Sequence, residues 1–171
     1  MWILYFNVAC VLVFWGLLAA ASVNDVRRYR IPNWISVAIA GLYLPFALSG
    51  PGSTAAMLLQ GYGVGLAVMA VGFLMFMGRI MGGGDAKLLS AAGIWAGTAY
   101  LLDVLLIMAA TGGLMALAAL AWLPMRKRLR GKAFLDKVRK TKLPYGVAIS
   151  AGGFWAGWQH LQPALGMMGL K

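Results

Sequence analysis

Long apolar runs dominate the sequence, and short polar or charged stretches separate them. A transmembrane helix needs about 20 predominantly apolar residues. On this criterion we predict spans at residues 2–23, 34–49, 55–78 and 145–161. Within the third span, Gly61-x-x-x-Gly65 is a spacing that suits close packing against another helix.

A fifth apolar run, residues 88–123, is too long for one crossing. It holds 36 residues and a single charge, Asp103. As one helix it would be about 54 Å long, against a hydrocarbon core of about 30 Å. We therefore predict a helical hairpin that breaks near Gly97-Thr98. The fold class is then all-α, a polytopic membrane protein with six transmembrane helices.

The basic residues indicate the orientation of these spans. Arg27, Arg28 and Arg30 follow the first apolar run, whereas a signal peptide carries its positive charges in front. The segment 126–142 carries nine Lys and Arg, and the predicted turn at residues 50–53 carries no charge. Because basic loops stay in the cytoplasm, we expect both termini on the outer, periplasmic side.

Composition excludes several classes of protein. The chain is 62% hydrophobic and 11% charged, whereas about a quarter of a soluble domain is charged. The net charge of +11 fits the topology of a membrane protein, so we expect no nucleic-acid partner. Segment 126–142 is also suited to anionic lipid headgroups. With one Cys (Cys10), one His (His160) and no Glu, we expect no disulfide, no metal site and no other cofactor.

Two of the four acidic residues are candidates for chemistry. Asp25 follows the first span and Asp85 precedes the fourth, so both are expected at the cytoplasmic edge. Charges near hydrocarbon are costly and suggest function. Two close carboxyl groups share a proton, so that one acts as base and the other as acid. The chain has no H-E-x-x-H and no G-x-S-x-G motif, and an aspartyl protease therefore fits best among protease classes.

Each aspartate also has a simple structural interpretation. Asp25 would be an exposed carboxylate at a helix end, paired with Arg27 or Arg28. Asp85 would be a helix N-cap, a position that favours Asp. Asp103 is expected on the outer side, and Asp136 lies among lysines and arginines, so neither is expected to join the pair.

Three segments resemble motifs of the prepilin peptidases, which are G-x-G-D membrane aspartyl proteases. Residues 25–33, DVRRYRIPN, resemble the first motif, and residues 82–89, GGGDAKLL, resemble the second. Residues 142–146, KLPYG, resemble the late segment that enters the last helix. The resemblance implies that the chain removes the leader peptide of prepilins or pseudopilins at the cytoplasmic face of the bacterial inner membrane.

The length of the chain and of its first loop indicates which type of prepilin peptidase it resembles. Larger prepilin peptidases add a cytoplasmic insertion with paired cysteines and an N-methylation activity, whereas the first loop here is short and free of cysteine. Residues 1–171 therefore look like a single transmembrane peptidase domain of the short type that serves tight-adherence (Flp-type) pili. We expect no methyltransferase activity.

The resemblance also assigns site residues. Asp25 and Asp85 are the catalytic pair. The substrate-binding or loop-shaping residues are Pro32, Asn33, Gly82, Gly83, Gly84, Lys87, Pro144 and Tyr145. Lys87 either lowers the pKa of Asp85, engages the substrate or extends toward the interface. The alternatives are a six-span transporter, in which the aspartates are ion sites, and a non-catalytic pilus-assembly subunit, in which they are structural.

Overall fold

A computed structural model describes residues 2–49, 55–127 and 143–167, and five helices occupy most of them. Their bounds are α1 Trp2–Arg28, α2 Asn33–Ser49, α3 Ala55–Met77, α4 Gly83–Lys127 and α5 Tyr145–Met167. The predicted turn at residues 50–53 lies outside the described residues, as do residues 128–142 of the basic segment, including Asp136.

Several of these helices have the length and apolarity of membrane spans. Among the described residues, α1, α3 and the stretch Gly83–Ala121 of α4 are long and apolar enough to cross a bilayer, and α2 is apolar but shorter. The predicted all-α class is confirmed, and the protein is a multi-pass membrane protein.

Helix α4 breaks at Gly97, where the sequence predicted a break. Gly97 has φ 55° and ψ −164°, a conformation that glycine adopts without the penalty of a side chain. The two flanking segments, 83–96 and 98–127, are helical on either side.

The chain reverses direction at this break. A Cβ atom at Gly112 would lie 3.7 Å from the Cβ atom of Ala148, near the start of α5, whereas one at Gly152 would lie 2.6 Å from the Val104 carbonyl oxygen. Residues later in α5 thus contact residues earlier in the second half of α4, so these two segments run antiparallel.

The first half of α4 runs parallel to α5, because Gly84 and Gly146, near the two helix starts, both contact Ile31, and Trp95 and His160, further along, lie 2.7 Å apart (carbonyl oxygen to Nε2). The two halves of α4 therefore form a hairpin.

The core of the bundle is built around Trp95. Its ring stacks on Phe14 of α1 with centroids 4.2 Å apart, and its indole N–H donates to the carbonyl oxygen of Ile39 in α2 at 2.9 Å. Trp95 is 1% exposed. One side chain thus links α1, α2 and α4, which fixes the three helices against one another.

One face of α1 leads directly to the candidate chemistry. Its buried positions are spaced alternately three and four residues apart, as expected for one face of a helix. They are Val11, Phe14, Leu18, Ala21 and Asp25, with Cys10 buried beside the first of them. Asp25 therefore continues the buried stripe and points into the bundle. This is why α1 extends a turn beyond the predicted apolar segment 2–23.

Glycines on α3 allow close contact with its neighbours, as the Gly61-x-x-x-Gly65 spacing predicted. A Cβ atom at Gly61 would clash with Tyr43 of α2, and one at Gly65 would clash with Ile94 of α4. A Cβ atom at a further glycine, Gly72, would lie 3.0 Å from the Ala86 Cβ. Because Ala86 follows Asp85, the packing of α3 helps to fix the start of α4.

Candidate active site

A pocket of about 960 Å³ lies where several helix ends meet at one end of the bundle. The end of α1, the starts of α2, α4 and α5, and the connections before these three starts line it. Eight of the predicted site residues are among these: Asp25, Pro32, Asn33, Gly82, Gly83, Gly84, Asp85 and Tyr145. The structure therefore brings both aspartates and most of their predicted companions together.

Asp25 is a buried carboxylate held by a backbone amide. It is 5% exposed, and its Oδ2 accepts a hydrogen bond from the Gly146 N–H at 2.7 Å. The bond joins the last turn of α1 to the first turn of α5, 121 residues later. Asp25 is thus not the exposed helix-end carboxylate of the simpler interpretation.

The chain turns sharply after Asp25. The Tyr29 N–H donates to the Asp25 carbonyl oxygen at 2.8 Å and closes the last turn of α1. Tyr29 itself adopts φ 49°, in the left-handed region that costs a non-glycine residue about 1–2 kcal/mol. This turn ends the helix and directs the chain back toward the bundle.

Asp85 lies in the first turn of α4, two residues after its start at Gly83. The Ala86 N–H donates to the Gly82 carbonyl oxygen at 3.0 Å, so Gly82 occupies the N-cap position. The Asp85 carboxylate in turn accepts a hydrogen bond from the Gly82 N–H, as the third residue of a capping box does. The N-cap interpretation is therefore wrong in position, although Asp85 does help to cap the helix.

Both carboxyl groups have raised pKa values. They lie outside the apolar segments 2–23 and 88–123, on polar helix ends that line the pocket. Burial raises the pKa of Asp25, and the hydrogen bond from Gly146 lowers it in part. Burial, followed by the negative charge of Asp25, raises the pKa of Asp85 to about 6, offset in part by the Gly82 hydrogen bond. The two carboxyl groups are thus close enough to influence each other electrostatically.

Lys87 connects the two predicted motifs. Its Nζ donates to the Asn33 Oδ1 at 3.1 Å, which joins the first turn of α4 to the first residue of α2. Lys87 is exposed and is not among the residues that line the pocket. The pKa of Asp85 is set by burial, by the charge of Asp25 and by the Gly82 hydrogen bond, without a contribution from Lys87, so the suggestion that Lys87 lowers it is not supported.

The late segment contributes a residue that the sequence did not single out. Pro144 does not line the pocket. Its carbonyl oxygen accepts a hydrogen bond from the Val147 N–H at 3.2 Å, and α5 starts at the next residue. Gly146 follows, and a Cβ atom there would lie 2.9 Å from the Asp25 Oδ2 and 3.0 Å from the Asp25 Cβ. The only signal for this contact is the glycine of the KLPYG segment.

The groups present are those of acid–base chemistry. Within the described part of the chain, no group of three or more His, Cys, Asp or Glu side chains could hold a metal ion. The pocket instead offers a carboxylate bound to a backbone amide, and beside it a second carboxyl group whose pKa is near 6.

The architecture and this pocket together define a multi-pass helical membrane protein with paired carboxyl groups at one end of its bundle. The family model of the type IV leader peptidase family matches residues 11–117, well over half of the chain. The chain belongs to this family. Its membership supports peptidase activity. The matched region contains both Asp25 and Asp85 and ends before Gly146. No curated protein matches the chain, and no solved structure does.

Proposed function

We propose that the protein is an aspartyl endopeptidase that removes the leader peptide of type IV (Flp-like) prepilins or pseudopilins, with Asp25 and Asp85 as its catalytic pair. The observation that carries this proposal is that both carboxyl groups line one pocket and that both have raised pKa values. Family membership gives the class of substrate.

The two aspartates have different roles in this mechanism. Asp25 is the base, because the Gly146 N–H stabilises its ionised form. Asp85, whose pKa is about 6, is the acid that keeps the shared proton. Asp25 takes a proton from water as the water oxygen attacks the scissile carbonyl carbon, and Asp85 gives its proton to the carbonyl oxygen.

Collapse of the resulting diol completes the reaction. The proton held by Asp25 passes to the amide nitrogen as the C–N bond breaks, and a diol hydroxyl returns its proton to Asp85. The products are the leader with a new carboxyl end and the mature chain with a new amino end. Each carboxyl group is then back in its starting protonation state.

The other predicted residues shape the place where substrate lies. Residues 82–84 are glycines, so backbone approaches the pocket there without side chains. Pro32 and Asn33 form the facing wall at the start of α2, and Tyr145, which is 45% exposed, borders the pocket at the start of α5. We assign substrate contact to these walls and loop shaping to Lys87 and Pro144.

The proposed topology places the pocket at the cytoplasmic edge of the bacterial inner membrane. The two halves of α4 serve as the fourth and fifth of six spans, and both termini are periplasmic. Arg27 and Arg28, at the end of α1, and Arg30, just after it, keep this end of the bundle inside. Residues 1–171 act as one transmembrane peptidase domain, and segment 126–142 contacts anionic lipid headgroups.

Co-expression with a Flp-type prepilin tests the proposed activity. We expect the precursor to shorten in membranes that contain the chain and to remain full length in membranes that lack it. Because the first loop has no cysteine insertion, mass spectrometry should find an unmethylated new amino end. An unprocessed precursor would contradict the peptidase function, and uptake driven by an ion gradient would favour a transporter.

The rate of cleavage should depend on pH through the protonation states of Asp25 and Asp85. Activity requires Asp85 to be protonated and Asp25 to be ionised, so kcat/KM should fall as the pH rises through about 6, the pKa of Asp85. It should also fall at acidic pH as Asp25 becomes protonated. The pH profile of kcat/KM reports the pKa values of the free enzyme, whereas that of kcat reports those of the bound complex. Because bound substrate buries Asp85 further, the alkaline limb of kcat should lie at higher pH than that of kcat/KM. Initial rates measured in detergent across the pH range check this, and a profile that is flat through pH 6 would contradict the assigned roles.

A further inference from the structure

Ile31 occupies a central place beneath the pocket. It lies in the short connection between α1 and α2, yet it is only 9% exposed and belongs to the main hydrophobic core. It also lines the pocket. The left-handed turn at Tyr29 directs the chain inward just before it, and Pro32 follows it.

The side chain of Ile31 packs against the backbone beside each carboxyl group. A Cβ atom at Gly84, the residue before Asp85, would lie 3.4 Å from the Ile31 Cβ. A Cβ atom at Gly146, whose N–H binds Asp25, would lie 3.1 Å from the Ile31 Cδ1. Ile31 therefore fills the space between the segment that carries Asp85 and the segment that holds Asp25.

We propose that Ile31 is a positioning residue whose side chain sets the spacing between the Asp25 and Asp85 carboxyl groups. This inference rests on the function proposed above, because the spacing matters only if the two groups act together. Neither contact of Ile31 involves a carboxyl oxygen directly, so it acts through Gly84 and Gly146.

Two features make Ile31 suited to this role. Its β-branched side chain is stiff about χ1, and the following proline restricts the backbone of Ile31 to an extended conformation. A side chain with few accessible conformations, packed at the density of a protein interior, keeps its two contact surfaces at a fixed separation. A smaller side chain would allow both glycine segments to move inward and would admit water.

The test compares Ile31→Ala with a matched variant, Ile39→Ala. Ile39 is 0% exposed and lies in the same core cluster, but it does not line the pocket. Rates are measured in detergent per folded molecule, with the folded fraction taken from thermal melts. For Ile31→Ala we expect kcat to fall about 10²-fold, the loss typical of a displacement of about 1 Å at a catalytic group, while KM changes much less. Ile39→Ala should melt at a lower temperature and keep kcat.

The pH profile distinguishes positioning from simple loss of stability. Water that enters the space left by the shortened side chain reduces the burial of Asp85, so the alkaline limb of kcat/KM should move to lower pH in Ile31→Ala and stay in place in Ile39→Ala. Ile31→Val keeps the β-branch and the contact with Gly84 but loses the Cδ1 atom that meets Gly146, so its kcat and its alkaline limb should fall between those of Ile31→Ala and the wild type. If the alanine variant does not fold, an Ile31→Val variant with the wild-type kcat and limb would overturn the proposed role.

Two results would overturn the role of Ile31. One is an Ile31→Ala variant with the wild-type kcat and pH profile. The other is an Ile39→Ala variant that shows the same fall and the same shift. In either case the wild-type chain would still cleave the precursor, whereas failure of the proposed function would appear as absence of cleavage by the wild-type chain itself.

Discussion

Replacement of either Asp25 or Asp85 with alanine is expected to abolish cleavage of a prepilin precursor. Each carboxyl group takes part in a different proton transfer of one reaction, so neither replaces the other. General acid or base catalysis contributes about 10²–10⁴-fold to a rate, and loss of one member also removes the shared proton. We therefore expect the rate in membranes to fall by about 10⁴-fold or below detection.

Asp103→Ala is the matched control for this experiment. Asp103 lies in the second half of α4, is partly exposed and does not line the pocket, so its removal should leave the rate unchanged. Asp25→Asn and Asp85→Asn keep the shape of the side chain and should be as inactive as the alanine variants. Normal cleavage by Asp25→Ala or Asp85→Ala, at equal protein levels, would exclude the paired-carboxyl mechanism.

The arrangement of helices was accessible from the sequence, because lipid imposes strong constraints on it. Apolar segments must be long enough to cross the hydrocarbon core, and the run at residues 88–123 is too long for one crossing. A break was therefore required, and it falls at Gly97, one of the glycines in this run. The bounds of α2 were predicted to within one residue, whereas α1 extends beyond its apolar segment to Arg28.

The choice of Asp25 and Asp85 as candidates was also possible from the sequence, because their motifs are local, and both residues do line one pocket. Their surroundings could not be predicted, because they depend on contacts between distant segments. The hydrogen bond from Gly146 to Asp25 joins residues 121 positions apart, and the bond between Lys87 and Asn33 joins residues 54 positions apart. No local periodicity or spacing indicates either contact.

The position of Asp85 shows how a local rule gives an incomplete answer. Asp is favoured at the N-cap, which suggested that position. The structure instead places Gly82 there, and a Cβ atom at Gly82 would lie 2.8 Å from the Asp85 Oδ2. A glycine is therefore needed at the cap so that the carboxylate can reach back to it. The same close approach leaves Asp85 beside the pocket rather than in solvent.

Gly146→Ala is expected to lower the cleavage rate about 10²-fold, as large a loss as any expected from a change outside the aspartate pair. The added methyl group would lie 2.9 Å from the Asp25 Oδ2 and 3.0 Å from its Cβ, and 3.1 Å from the Ile31 Cδ1. Since Asp25 and Ile31 are both buried, neither can move away freely. The carboxylate must shift or α5 must withdraw, and either change lengthens the hydrogen bond that holds Asp25. A displacement of about 1 Å at this group costs about 10²-fold in rate.

Two other glycines of α5 separate this effect from general overpacking of the helix. A methyl group at Gly152 would lie 2.6 Å from the Val104 carbonyl oxygen, far along α5 from the pocket, whereas one at Gly166 would have no neighbour within 4 Å. Gly152→Ala should therefore lower the melting temperature, since overpacking typically costs about 1–3 kcal/mol, but keep kcat per folded molecule. Gly166→Ala should change neither quantity. If Gly146→Ala behaves like Gly152→Ala, with full activity in its folded fraction, then the Gly146 amide does not position Asp25 for catalysis.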